Sequence, residues 1–129
     1  MITYPFELTD NVNLIIVIAS INGYDVRLAV DTGASDTVID LTALLIAGYR
    51  ETDAIRTVEI ETGKGIIQAD VYRVTGFNAL GVTYPAFQLC AYDFLAHSVL
   101  TDIDGVLGLD FFTDEKLCIN FRELIITVQ

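Results

Sequence analysis

Leu28-Ala29-Val30-Asp31-Thr32-Gly33-Ala34-Ser35-Asp36-Thr37-Val38-Ile39 is the stretch from which the fold of this chain is read. Three apolar residues run into an aspartate, which is followed by a small hydroxyl residue and a glycine. The pattern places a carboxylate at the end of a strand, on a rigid turn where backbone N–H groups reach it. Taken alone, these residues also fit an ordinary turn closing a strand. A second stretch adds specificity: Asp104-Gly105-Val106-Leu107-Gly108-Leu109-Asp110-Phe111-Phe112 sets two apolar residues between glycines, ahead of a short helix predicted over residues 108–115.

Outward from Asp31, residues 12–21 read as a buried strand, Asn22-Gly23 as a two-residue hairpin turn needing positive φ, and residues 24–30 as the returning strand. Asp40 is placed to cap a short apolar helix over residues 41–47 that Gly48 ends. The alternation of residues 56–60 breaks at Glu61-Thr62-Gly63-Lys64-Gly65 and resumes over residues 66–74, which implies a second hairpin with a glycine-rich tip. A turn near residues 78–81 leads into residues 82–92, where Pro85 predicts an edge or a bulge. Residues 93–103 give no clear pattern. Residues 117–121 and 124–128 predict a last hairpin turning at Arg122-Glu123, and the opening segment Ile2–Leu8, with Pro5, suits a strand edge at an interface. Strands about every ten residues with two brief helices predict a mainly β, closed, barrel-like domain spanning residues 1–129.

The composition narrows the function classes. Hydrophobic residues make up 53% of 129 residues, and mean hydropathy is +0.52, more apolar than a small domain needs for its own core. Part of that surface is expected to meet a partner. The longest apolar run, residues 14–19, is far below the roughly eighteen residues that span a bilayer as a helix. No basic segment precedes an apolar one at the N-terminus, so no leader is read there and a cytoplasmic location is the expectation. A formal charge of −11 would repel polyanions, which points away from nucleic acid. Cys90 and Cys118 lie in apolar, strand-like stretches and are expected as buried, reduced thiols. The sole histidine, His97, stands in no cluster with metal spacing, and no cofactor signature is present.

Asp31-Thr32-Gly33-Ala34, together with the downstream Val106-Leu107-Gly108, resembles the aspartic proteases. The single copy of each motif is similar to the one-lobe, retroviral-type members, the retropepsins. The resemblance implies an aspartic endopeptidase whose catalytic group is Asp31. One carboxylate cannot both activate a water and protonate a carbonyl, whereas two sharing one proton do both. With one motif per chain, the resemblance therefore implies a homodimer acting on an extended peptide or protein substrate. By the same resemblance Thr32 would bond across the dimer, the Gly33 backbone would approach the carboxylate and Ala34 would border the substrate. Thr62, Gly63, Lys64 and Gly65 would form a flap that closes over the peptide, though a plain hairpin turn also accounts for those glycines.

The chain departs from the viral pattern at two positions. Viral members carry an acidic residue after the Ala34 position and an arginine after the Gly108 position, which pair; here they are Ser35 and Leu109. Both partners are missing together, so no orphan charge remains. The dimer is then expected to be weaker, or to be built mainly from the terminal strands Ile2 to Phe6 and Leu124 to Val128. A second reading keeps the fold without turnover, as a catalytically silent dimerisation or peptide-binding module. A third is a barrel for a small apolar ligand, which composition permits and no motif supports.

Overall fold

Asn22 and Gly23 adopt φ values of 50° and 84°, the doubly positive turn that matches the twist of the strands it joins. It pairs β3 (Ile15–Ile21) with β4 (Tyr24–Val30) in antiparallel register from Ile21–Tyr24 to Ile16–Ala29. This hairpin is the frame on which the Asp31 turn is carried. The computed structural model describes residues 2–8, 14–62, 65–94 and 103–129.

The other elements in chain order are β1 (Ile2–Pro5), β2 (Glu7–Leu8), β5 (Val38–Asp40) and helix α1 (Leu41–Ile46). They are followed by β6 (Arg56–Thr62), β7 (Gly65–Ala79), β8 (Val82–Tyr92), β9 (Gly105–Leu107), β10 (Leu117–Asn120) and β11 (Ile125–Val128). Single 3-10 turns cover Glu51–Asp53 and Leu109–Phe112. The described residues are thus mainly β. Eight strands form one sheet in the order β2-β3-β4-β9-β5-β8-β7-β6, and β3 pairs in addition with β7 through Ala19–Ala79, Ser20–Asn78 and Ile21–Phe77. A second sheet has the order β1-β11-β10.

The placement of β9 creates the site. Consecutive strands β4 and β5 are not neighbours; β9 lies between them, parallel to β4 and antiparallel to β5. The chain leaving Val30 must therefore arch over the end of β9 to reach Val38. Gly105 is what allows so close an insertion: a Cβ there would stand 2.1 Å from the Val38 carbonyl oxygen, and its φ of +152° is one that side chains resist.

A large apolar cluster fills the space enclosed by β3, β4, β7, β8, α1 and the Leu109–Phe112 turn. Phe111 is fully buried against Phe77, Tyr84, Phe87 and Phe112, and the Tyr84 hydroxyl donates to the Phe111 carbonyl at 2.8 Å. A smaller cluster of Val38, Ile60, Ala69, Val71 and Cys90 lies under the β6–β7 hairpin.

Several expectations need correction. Helix α1 stops at Ile46 in a Schellman arrangement, with Gly48 N–H donating to Leu45 and Tyr49 N–H to Leu44. Only Ala43 and Leu44 are buried in it; Leu45 and Ile46 face outward. Asp40 makes no capping bond, because its Oδ1 accepts the Phe94 N–H at 3.1 Å instead. Strand β7 runs on past Val74 to Ala79. The β7–β8 ladder keeps one register on both sides of Gly76 and Pro85, so Pro85 causes a gap in the bonding and not a bulge.

The helix predicted over residues 108–115 is a single 3-10 turn, Leu109–Phe112, whose first two N–H groups, unpaired in any helix, donate to the carbonyls of Ala34 and Ser35. Cys90 is buried as expected, but Cys118 is exposed on β10; both are free thiols. The opening segment pairs inside its own chain, β1 with β11 from Ile2–Val128 to Pro5–Ile125, so both edges of β11 are occupied. His97 lies outside the described residues.

Candidate active site

Asp31 follows the last residue of β4, and its N–H extends the β4–β9 ladder by donating to the Leu107 carbonyl at 3.0 Å. The backbone then turns sharply. Ala34 N–H donates to the Asp31 carbonyl at 3.1 Å, and Gly33 N–H donates to Asp31 Oδ1 at 2.9 Å. A Cβ on residue 33 would sit 3.2 Å from Asp31 Oδ1, so glycine lets the amide reach the carboxylate without crowding it. Among the described residues no donor reaches Asp31 Oδ2, and Asp31 is exposed. One oxygen is thus anchored by the backbone while the other faces outward.

The described part of the groove beside Asp31 has a volume of about 570 Å³. The Asp31–Asp36 loop forms one side, Val38, Val106 and Phe94 the floor, and Ile60 and Ile67 of the β6–β7 hairpin the opposite wall. Strand alternation sorts the hairpin's two faces: Ile60 pairs with Ile67 on the side of the buried Ala69 and Val71, whereas Glu61 pairs with the exposed Ile66. The hairpin therefore turns Ile60 and Ile67 to the groove, and Glu59 and Glu61 add carboxylates to the same lining.

Of the residues singled out for the site, Asp31, Gly33 and Ala34 line this groove together. Thr32 is exposed beside them. At the hairpin tip, Thr62 and Gly65 face each other as the closing pair, and Gly65 has a φ of +108°. Gly63 and Lys64, between them, lie outside the described residues.

The group that fixes the loop from behind carries no motif in the sequence. Thr37 is fully buried, its N–H stands 3.0 Å from both Asp110 carboxylate oxygens, and its hydroxyl donates to Asp110 Oδ1 at 2.7 Å. The same hydroxyl accepts the Gly108 N–H at 3.0 Å. Leu109 N–H reaches the Ala34 carbonyl at 2.8 Å and Asp110 N–H the Ser35 carbonyl at 3.2 Å. Burial pushes the Asp110 carboxyl above the usual carboxylate range; the bonds from Thr37 oppose that shift and the charge of Asp36 adds to it. The signal in the sequence was a threonine at the entry to an apolar strand and an acid two residues past the second glycine. Neither stands out until the two are brought together.

Known proteins were compared with this chain and its structure. A family model described as aspartyl protease matches residues 17–111. No curated protein sequence matches the chain. The fold is similar to that of a retropepsin-like aspartic protease from Rickettsia conorii, at 19% identity and a TM-score of 0.72, covering 98% of this chain and 89% of that one. It is also similar to EIAV protease complexed with the inhibitor HBY-793, at 18% identity and a TM-score of 0.60, covering 82% of this chain and 91% of the other. With its exposed aspartate over an inserted strand, a matched span of 17–111 and this fold, the chain belongs to the aspartyl protease family and is retropepsin-like.

Proposed function

We propose that the chain is an aspartic endopeptidase that hydrolyses peptide bonds of extended substrates as a homodimer, with Asp31 of each copy supplying half of the catalytic pair. The observation that carries this reading is Asp31 itself, with one oxygen held by the Gly33 amide and the other turned outward beside the groove. A single exposed carboxylate is half of what the chemistry needs, and a twofold axis at this loop supplies the other half. The ring of pairings β3-β4-β9-β5-β8-β7-β3 is read as the wall of a retropepsin-like barrel. One such barrel per copy makes residues 1–129 a single catalytic domain.

In the paired site the two carboxyl groups share one proton, because like charges at close range do not both ionise. The ionised Asp31 takes a proton from a water held between them as the water oxygen attacks the scissile carbonyl carbon. The protonated Asp31 gives its proton to the carbonyl oxygen, forming a tetrahedral diol. Collapse breaks the C–N bond as the leaving nitrogen is protonated, and the products are a carboxylic acid and an amine. Thr32 would bridge to the second copy, Ala34 would border the substrate, and the Thr62, Gly63, Lys64 and Gly65 tip would close as a flap over the peptide. Since β11 has neighbours on both sides, an interface built on the terminal strands must use the outer edge of β1 or of β10, or exchange β1 between copies.

The test is a proteome-derived peptide library incubated at mildly acidic to neutral pH with the parent chain and with Asp31→Asn, whose oligomeric state is followed by sedimentation. New termini from the parent and none from the variant are expected. Equal cleavage by both would end the reading, and a well-formed dimer that cleaves nothing would favour the silent module.

A further inference from the structure

We propose that the Asp31 groove selects peptides carrying lysine or arginine on both sides of the scissile bond, and that Glu59 and Glu61 of the β6–β7 hairpin are the residues that read them. This selectivity rests on the endopeptidase reading above and names its substrate class. Four residues lining the described part of the groove carry charge, and all four are acidic: Asp31, Asp36, Glu59 and Glu61. No lysine or arginine stands in that described lining. Asp31 is committed to the chemistry, which leaves the other three to act on the peptide.

The chain does not neutralise these carboxylates itself. Among the described residues none of Asp36, Glu59 and Glu61 is in an ion pair, whereas Arg27 on β4 holds Glu7 on β2. Glu59 and Glu61 are exposed, and the residues across the ladder from them, Gln68 and Ile66, carry no charge. β6 ends the sheet order, so its outer edge has no strand neighbour among the described residues. The two glutamates therefore stand at the rim of the groove, on either side of Ile60 along the strand.

Their spacing suits an extended ligand. Side chains two residues apart on a strand share one face at an interval of about 7 Å. Alternate side chains of an extended peptide keep the same interval, so two of them can meet Glu59 and Glu61 together. A lysine or arginine lays its methylene stem on apolar surface and keeps its charged head in water. Ile60 and Ile67 supply that surface and the glutamates supply the counter-charge. An acidic side chain in the same place would meet like charge from the hairpin and from Asp36. The twofold axis of the proposed homodimer repeats the hairpin over the other half of the peptide, so the preference falls on both flanks.

The experiment uses two matched sets of peptides, each with an apolar centre flanked either by lysines or by glutamates. Cleavage is followed by kcat and KM, and binding by fluorescence anisotropy in an Asp31→Asn background. The parent is compared with Glu59→Lys/Glu61→Lys and with Asp25→Lys/Glu51→Lys, which makes the same change in net charge at exposed residues outside the groove. At low salt the parent is expected to favour the lysine set by about tenfold or more in kcat/KM, mainly through KM, because each exposed charge pair contributes only a small factor and several act together. The preference shrinks in 1 M salt, where the screening length falls to about 3 Å. Glu59→Lys/Glu61→Lys reverses it, and Asp25→Lys/Glu51→Lys keeps it. Equal cleavage of both sets by the parent, a preference unmoved in Glu59→Lys/Glu61→Lys, or one lost equally in both double variants overturns the proposal. If the parent cleaves neither set, the endopeptidase reading fails and anisotropy still decides the charge selectivity of the groove: tighter binding of the lysine set that Glu59→Lys/Glu61→Lys abolishes supports it, and equal binding or none overturns it.

Discussion

Replacing Gly108 by alanine tests the geometry of the arch directly. Gly108 has φ −94° and ψ −177°, extended backbone that alanine adopts without strain, so the substitution would by itself stabilise the protein. That gain, from restricting the unfolded chain, is about 0.4–1 kcal/mol. The added Cβ would stand 2.6 Å from both the carbonyl carbon and oxygen of Asp36 and 2.9 Å from the Ala34 oxygen. Ordinary contact begins near 3.4 Å, so the loop must retreat by about 0.8 Å (3.4 less 2.6) against backbone that cannot rotate away. Forcing a methyl into such a contact costs about 1–3 kcal/mol, which less that gain leaves a net loss of about 1.3 kcal/mol at the middle of the two ranges. The same retreat would stretch the 2.8 Å bond from Leu109 to Ala34 beyond hydrogen-bond range and move Asp31 with it. Misplacement on the scale of 1 Å costs about a hundredfold in rate. Urea unfolding followed by far-UV circular dichroism is the suitable assay, since the chain has no tryptophan. A variant within about 0.5 kcal/mol of the parent, with the Leu109 amide still protected, would show that the loop is not pressed against residue 108.

Two other perturbations follow from burial. The Tyr72 side chain is buried with a hydroxyl that has no partner among the described residues, while its ring packs edge-on against Tyr49. Tyr72→Phe keeps the ring and removes the unpaired group, so thermal unfolding should show a gain of about 1 kcal/mol; a loss of that size would mean the hydroxyl is satisfied in solution. Burial pushes the Cys90 thiol up to about 11, with Asp36 and Asp110 adding to the shift and Arg56 opposing it. Iodoacetamide at pH 8 should therefore label the exposed Cys118 in the native protein and spare Cys90 until urea is added; equal labelling without urea would contradict the burial.

The features legible in the amino-acid sequence are local ones. Asn22-Gly23 dictates its own turn because two consecutive positive φ values are tolerated by few residue pairs. Asp31-Thr32-Gly33 dictates its own bond because donor and acceptor are two residues apart. The glycines of the second motif are visible in the sequence, but what approaches them, Val38 at Gly105 and Asp36 at Gly108, was set by the fold. The rest was set by which distant residues the fold brings together. The element after Gly108 is one 3-10 turn and not a helix, and its leading Leu109 and Asp110 amides are satisfied by the Asp31 loop, about seventy-five residues away in sequence. Asp40 gave up its cap for Phe94. Strand β1 took the free edge of β11. Thr37 and Asp110, separated by 73 residues, could be paired only once β9 had been inserted between β4 and β5. A turn carries its instructions in neighbouring residues, whereas a buried hydroxyl takes its partner from whichever strand the topology sets beside it.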